Sequence, residues 1–124
     1  MLPDEDIKWP HGGEIDIMEH LNHDSIVYQT IHTNYTVRLK QTDNPPHGKT
    51  HPIDRDGFNT YAVELLHDSI VFSVNGDRYF TYPRVQTDKE GQYPFARPYY
   101  LLIDMQTEGS WVGKATKSEL PVEM

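Results

Sequence analysis

Three acidic residues fall within six positions in Glu14-Ile15-Asp16-Ile17-Met18-Glu19, and large apolar side chains separate them. Isoleucine on either side of Asp16 favours a β-strand, in which successive side chains point to opposite faces. Glu14 and Asp16 then share one face, and Ile15 and Ile17 fill the other. Strict alternation would bring Met18 onto the acidic face and turn Glu19 into the core. A buried, unpaired carboxylate is costly. The pattern therefore predicts a one-residue bulge near Met18, which re-aims the side chain that follows. All three carboxylates then line one surface, with Asp16 between two glutamates.

Such a surface suits a particular chemistry. Retaining glycoside hydrolysis uses one carboxylate as nucleophile and a second as general acid, then general base, about 5–5.5 Å apart. The two must differ in protonation state, which neighbouring charge enforces. Fully extended, positions 14 and 19 lie roughly 16 Å apart at about 3.3 Å per residue. The strand must curve and the glutamates lean together, as on a concave sheet. The alternative is a solvated strand face that is merely acidic.

The flanking residues discriminate between these readings. Trp9-Pro10-His11-Gly12-Gly13-Glu14-Ile15-Asp16-Ile17-Met18-Glu19 closely resembles the signature of glycoside hydrolase family 16, in its bulged, laminarinase-like branch. There W-P-x-x-G precedes E-I-D-I-x-E, and this chain matches without a gap. The resemblance implies that Glu14 is the nucleophile, Asp16 the helper acid and Glu19 the acid/base. It implies a sugar-stacking role for Trp9 beside the cleaved bond. His32, in a T-x-H-T segment similar to one on the family's neighbouring strand, is implied to face the cleft.

With 124 residues the chain is at most one domain. Eleven basic against 19 acidic residues give a net charge of −8, which repels nucleic acid and anionic lipid. No run of 18 apolar residues is present to span a bilayer. Cysteine is absent, which excludes disulfides and zinc–thiolate sites. No signal peptide is visible, since Asp4, Glu5 and Asp6 stand where a basic segment would. The family resemblance implies a secreted, periplasmic or cell-surface protein, and a monomer.

Fourteen aromatic residues (eight Tyr, four Phe and two Trp), nine prolines and eight glycines suit an all-β domain with many turns. Ile26–Thr33 reads as a strand rich in β-branched and aromatic residues. Gln41–Gly57, with Pro45, Pro46, Gly48 and Pro52, reads as a long loop. Asp54-x-Asp56-Gly57 starts like a calcium loop, but the later glutamate is out of register, so it reads as a turn. Phe58–Leu66, Ile70–Val74 and Arg78–Tyr82 read as strands, the last two joined by the hairpin signal Asn75-Gly76. Asp88–Pro98 reads as a loop, Tyr99–Asp104 as a buried strand, and Gly109–Gly113 as a loop. No window carries helical periodicity. The expected fold is an antiparallel β-sandwich, a concanavalin-like jelly roll. The resemblance further implies that residues 1–124 are the C-terminal part of a catalytic domain. Met1 then falls inside a strand, upstream strands are missing, and Pro121-Val122-Glu123-Met124 opens a last strand without its continuation.

Seven histidines invite a metal reading at His20-x-x-His23 and His47-x3-His51. Both pairs fall in loops without an acidic second shell, so neither metal nor cofactor is expected. Trp111, in a Gly-flanked loop, and Gln106, after Ile103-Asp104-Met105, join Trp9 and His32 as candidate sugar-binding residues, since flat aromatics cover the apolar faces of sugar rings. The expected function is a retaining endo-β-glycanase acting on a polysaccharide, with β-1,3-glucan or mixed-linkage glucan as substrate. A galactan- or poly-N-acetyllactosamine-cleaving relative is the enzymatic alternative. A non-catalytic carbohydrate-binding jelly roll is the alternative of another class, but it needs no triad of acids.

Overall fold

The structure, a computed structural model, describes residues 1–85 and 91–116. Among them, antiparallel strands form three sheets. The first joins β1 (Leu2–Pro3) to β8 (Tyr99–Tyr100). The second has the order β2-β3-β4, with β2 at Glu14–Glu19, β3 at Ile26–His32 and β4 at Gly48–Pro52. The third has the order β5-β6-β7, formed by Tyr61–Leu65, Ser69–Val74 and Asp77–Pro83.

Period-two burial explains how the second and third sheets face each other. Along β3, Val27, Gln29 and Ile31 are buried and the residues between them are not. Ile15 of β2 pairs with Ile31 of β3, and both pack against Ile70 and Phe72 of β6 and Phe80 and Tyr82 of β7. Phe72 and Phe80 are cross-strand partners whose rings stack 5.2 Å apart. Each such buried side chain contributes about 1.5–3 kcal/mol of apolar burial, so the cluster fixes the layering. At the edge of the sandwich, Lys49 Nζ donates to the Tyr79 carbonyl at 3.0 Å and His51 meets Asp77 at 3.1 Å. The fold is an all-β antiparallel jelly roll, as the alternation and turn chemistry predict.

Asn75 and Gly76, with φ of 52° and 85°, close the β6–β7 hairpin in the left-handed region that Asn-Gly favours. Asp54–Gly57 is a turn in which the Asp56 N–H donates to the Asp54 carboxylate.

Four sequence expectations change. The Gln41–Gly57 loop contains β4. Gly48-Lys49-Thr50-His51-Pro52 lacks apolar alternation, and only the backbone ladder to β3, from Ile26↔Pro52 to Thr30↔Gly48, makes it a strand. Tyr99–Asp104 is not a buried strand. Only Tyr99 and Tyr100 pair, and Leu101, Leu102 and Ile103 are exposed because no described element packs over them. The strand expected from Phe58 begins at Tyr61, with Phe58 itself fully exposed. A single wide helical turn, Asn34–Arg38, follows β3. The Leu39 N–H donates to the Asn34 carbonyl, and Thr33 and Thr36 cap its start reciprocally. Residues 88–90 of the expected 88–98 loop, and the expected last strand from Pro121, lie outside the described residues.

Candidate active site

The acidic surface is built by the register of β2 against β3. Glu14 pairs with His32, Ile15 with Ile31 and Asp16 with Thr30, but Glu19 pairs with Tyr28. Three steps on β2 therefore match two on β3, which is the one-residue bulge predicted near Met18. Its effect is to place Glu14, Asp16 and Glu19 on the face shared with Tyr28, Thr30 and His32. Ile15 points the other way and is fully buried, whereas Ile17 is only half-buried against the core and Met18 is exposed. The bulge lifts Ile17 partly out of the layer that strict alternation would give it.

Gly13 sets the entry into β2. Its φ is +79°, and a Cβ there would meet Phe95 at 2.7 Å and Pro94 at 2.9 Å. Only glycine adopts this conformation and this contact without strain. The turn before it carries Trp9 back over the strand, and the indole N–H donates to Glu14 Oε2 at 2.7 Å.

Each acid has different company. Asp16 Oδ2 lies 3.2 Å from His32 Nε2. That bond is the main reason the His32 pKa is raised. Burial opposes it, and the charges of Asp16, Glu14 and Glu19 reinforce it. Glu19 is pushed up to about 7, first by burial and then by the negative charges of Asp16 and Glu14, with His32 and a hydrogen bond from Thr30 pulling the other way. One strand thus carries a carboxyl group that stays protonated to near neutrality, beside acids held by an indole N–H and an imidazole.

The sugar-binding candidates divide. The rings of Trp9 and His32 lie 6.5 Å apart. Trp111, on the turn closed by hydrogen bonds between Gly109 and Gly113, meets the ring of Tyr28 edge-on at 5.2 Å. Since Tyr28 is the partner of Glu19, Trp111 reaches the acidic face. Gln106 sits in an exposed segment outside any strand, its amide near Gly109, and no contact brings it to the acids.

A depression of about 430 Å³ adjoins the acids, lined by Tyr28, Thr30, His47, Gly48, Lys49 and Thr50. Sequence reasoning missed it. Period-two alternation from His32 finds Thr30 and Tyr28, but His47 and Thr50 come into reach only through β4. The His47 and His32 rings are 6.4 Å apart, and His47 Nδ1 is tied to the Thr42 carbonyl. His20 bonds the Asp24 carbonyl. Among the described residues, no group of three or more His, Asp or Glu side chains is arranged to hold a metal.

Residues 4–64 match the model of the XgeA-like, catalytic GH16 domain. The chain belongs to glycoside hydrolase family 16. This family 16 chain is 33% identical over 116 residues to a keratan-sulfate endo-1,4-beta-galactosidase of Sphingobacterium multivorum, covering 94% of this chain and 27% of that protein. It is 32% identical over 123 residues to a beta-glucanase of Rhodothermus marinus, covering 92% of this chain and 43% of that protein. It therefore spans less than half the length of either. Among solved structures, the catalytic domain of an endo-1,3-beta-glucanase from Thermotoga petrophila superposes with a TM-score of 0.74 at 25% identity, over 90% of this chain and 46% of that one. The laminarinase from Rhodothermus marinus superposes at 0.66 and 28% identity, over 78% of this chain and 42% of that one.

Proposed function

We propose that the protein is a retaining endo-β-glycanase in which Glu14 is the nucleophile and Glu19 the acid/base. In the first step, a Glu14 oxygen bonds to the anomeric carbon as the glycosidic C–O bond breaks, and the Glu19 proton goes to the leaving oxygen. In the second, water attacks the same carbon, Glu19 takes a proton from it, and Glu14 leaves as carboxylate. Asp16, bonded to His32 and charged beside Glu19, helps keep Glu19 protonated. The observation that carries this reading is the bulge, which puts a carboxyl group with a pKa of about 7 on the same face as Glu14. A carbohydrate-binding module has no use for that division of roles.

The substrate is a neutral β-glucan, β-1,3-linked or mixed-linkage. Trp9, Trp111 and Tyr28 supply aromatic faces for sugar rings. A polyanion would meet the three acids inside a chain of net charge −8. Two basic groups are already engaged, Arg97 with Glu5 at 3.0 Å and Lys49 with the Tyr79 carbonyl. The beta-glucanase relative fits this reading. The keratan-sulfate relative keeps a galactose- or lactosamine-containing chain as the second reading. A polymeric substrate places the protein outside the cytoplasm, secreted, periplasmic or on the cell surface, acting as a monomer.

The test is hydrolysis of laminarin, barley mixed-linkage glucan, agarose, κ-carrageenan and keratan chains by the intact protein, with fresh product followed by proton NMR. Laminarin should be cleaved fastest, and the β-anomer should appear first. Cleavage of a galactose-containing chain with laminarin untouched overturns the substrate. An initial α-anomer overturns double displacement.

A further inference from the structure

The β2–β3 register singles out Gln29. Asp16 pairs with Thr30 and Glu19 with Tyr28, so Ile17 and Met18 together oppose Gln29 alone. The neighbours of Gln29 on its own face of β3, Val27 and Ile31, are fully buried apolar side chains, and Gln29 is 0% exposed among them. Packing gives no reason for an amide there. Its Oε1 has no hydrogen-bond partner among the described residues. An apolar side chain would fill the space without leaving a buried acceptor unsatisfied. The other end of the amide makes one short bond, Nε2 donating to the Ile17 carbonyl at 2.5 Å. Only the NH2 end faces a carbonyl favourably, which fixes the amide orientation.

We propose that Gln29 is a positioning residue, which holds the β2 bulge from the core side and thereby sets the aim of Glu19. A bulge leaves its extra residue unpaired in the ladder, and Gln29 supplies the missing donor to Ile17, two residues before Glu19. Without that donor the part-buried Ile17 carbonyl loses the side-chain hydrogen bond that Gln29 gives it. Regular pairing then competes, and a slip of one residue turns Glu19 to the opposite face. Glu14 and Asp16 precede the bulge and are held by their own pairs with His32 and Thr30. Loss of Gln29 therefore acts on Glu19 selectively.

The catalytic part of this inference rests on the proposed acid/base role of Glu19, but the positional part does not. The experiment is a 13C-carboxyl NMR titration of Glu19 in the full chain, for wild type, Gln29→Met and Gln29→Glu, with kcat and KM measured in parallel. The groups that face Glu19 are Glu14 and Asp16 of β2 and His32, Thr30 and Tyr28 of β3, and all are unchanged in these variants. In Gln29→Met the Glu19 pKa should move away from about 7 by about one unit or more, and kcat should fall at least about tenfold with KM within about twofold. A misaimed donor need not lose the whole contribution of about 10²–10⁴-fold that a positioned proton donor makes, so about tenfold is the smallest loss expected. Gln29→Glu should restore both readouts at low pH, where a buried, protonated carboxyl donates to the Ile17 carbonyl, and lose them as it ionises. An unchanged Glu19 pKa in Gln29→Met overturns the proposal. So does a Gln29→Glu variant with no pH-dependent rescue, which also decides the matter if Gln29→Met fails to fold. A shifted Glu19 pKa with unchanged kcat supports the hold on the bulge and overturns the acid/base reading instead.

Discussion

His32 pairs with Glu14 across the β2–β3 ladder, yet its Nε2 bonds Asp16 diagonally, at 3.2 Å from Oδ2. The diagonal leaves Glu14 to the Trp9 indole and gives Asp16 an imidazole partner. Folding raises the His32 pKa above 6.5. The bond therefore stabilises the fold fully below pH 6.5, and that contribution is lost as the pH climbs through the raised value.

Asp16→Asn keeps the shape of this contact and removes its charge. The His32 pKa should fall toward 6.5, read by NMR titration of the ring proton. The Glu19 pKa should fall with it, because the Asp16 charge is the second cause of its rise. Burial remains, so Glu19 should stay above an ordinary glutamate. An unmoved His32 titration would show that the bond is not made in solution.

Activity should decline on the alkaline side with an apparent pKa near 7, because Glu19 must hold a proton to act as acid and is protonated below about 7. Asp16→Asn should move that limb to lower pH. Profiles of kcat/KM from pH 4 to 9 measure it. A limb that ignores Asp16→Asn would assign the titration to another group.

Glu14→Gln should abolish turnover while the fold and sugar binding persist. The amide keeps size and an acceptor for the Trp9 N–H but removes the anionic oxygen that attacks. Retention of more than about a tenth of the wild-type rate, against accelerations of about 10⁶-fold or more, would take Glu14 out of that role.

Trp9→Phe keeps an aromatic face and loses the N–H that bonds Glu14 at 2.7 Å. A hydrogen bond to a charged group contributes about 1.5–3 kcal/mol, so kcat/KM should fall roughly 10- to 100-fold with far-UV circular dichroism unchanged. Equal activity of the two proteins would leave Trp9 as a sugar platform only.

The alternation of acids and isoleucines in Glu14–Glu19 determined the strand, its two faces and the bulge. These depend on period-two geometry and on the cost of burying Glu19, both local. The Asn75-Gly76 hairpin was legible for the same reason, since it follows from the φ values those two residues adopt. Gly48–Pro52 was not legible as a strand, nor Leu101–Asp104 as an exposed segment. Pairing and burial there are decided by which backbone or apolar surface lies alongside, and sequence order does not state that. Only the tertiary structure brought Trp111 onto Tyr28, His47 beside His32 and the Gln29 amide beneath the Ile17 carbonyl. It also raised Glu19 to about 7, because that value comes from burial and from charges on two strands. The order of residues chose the acids. The packing of β3 beside them set their aim and the protonation of Glu19.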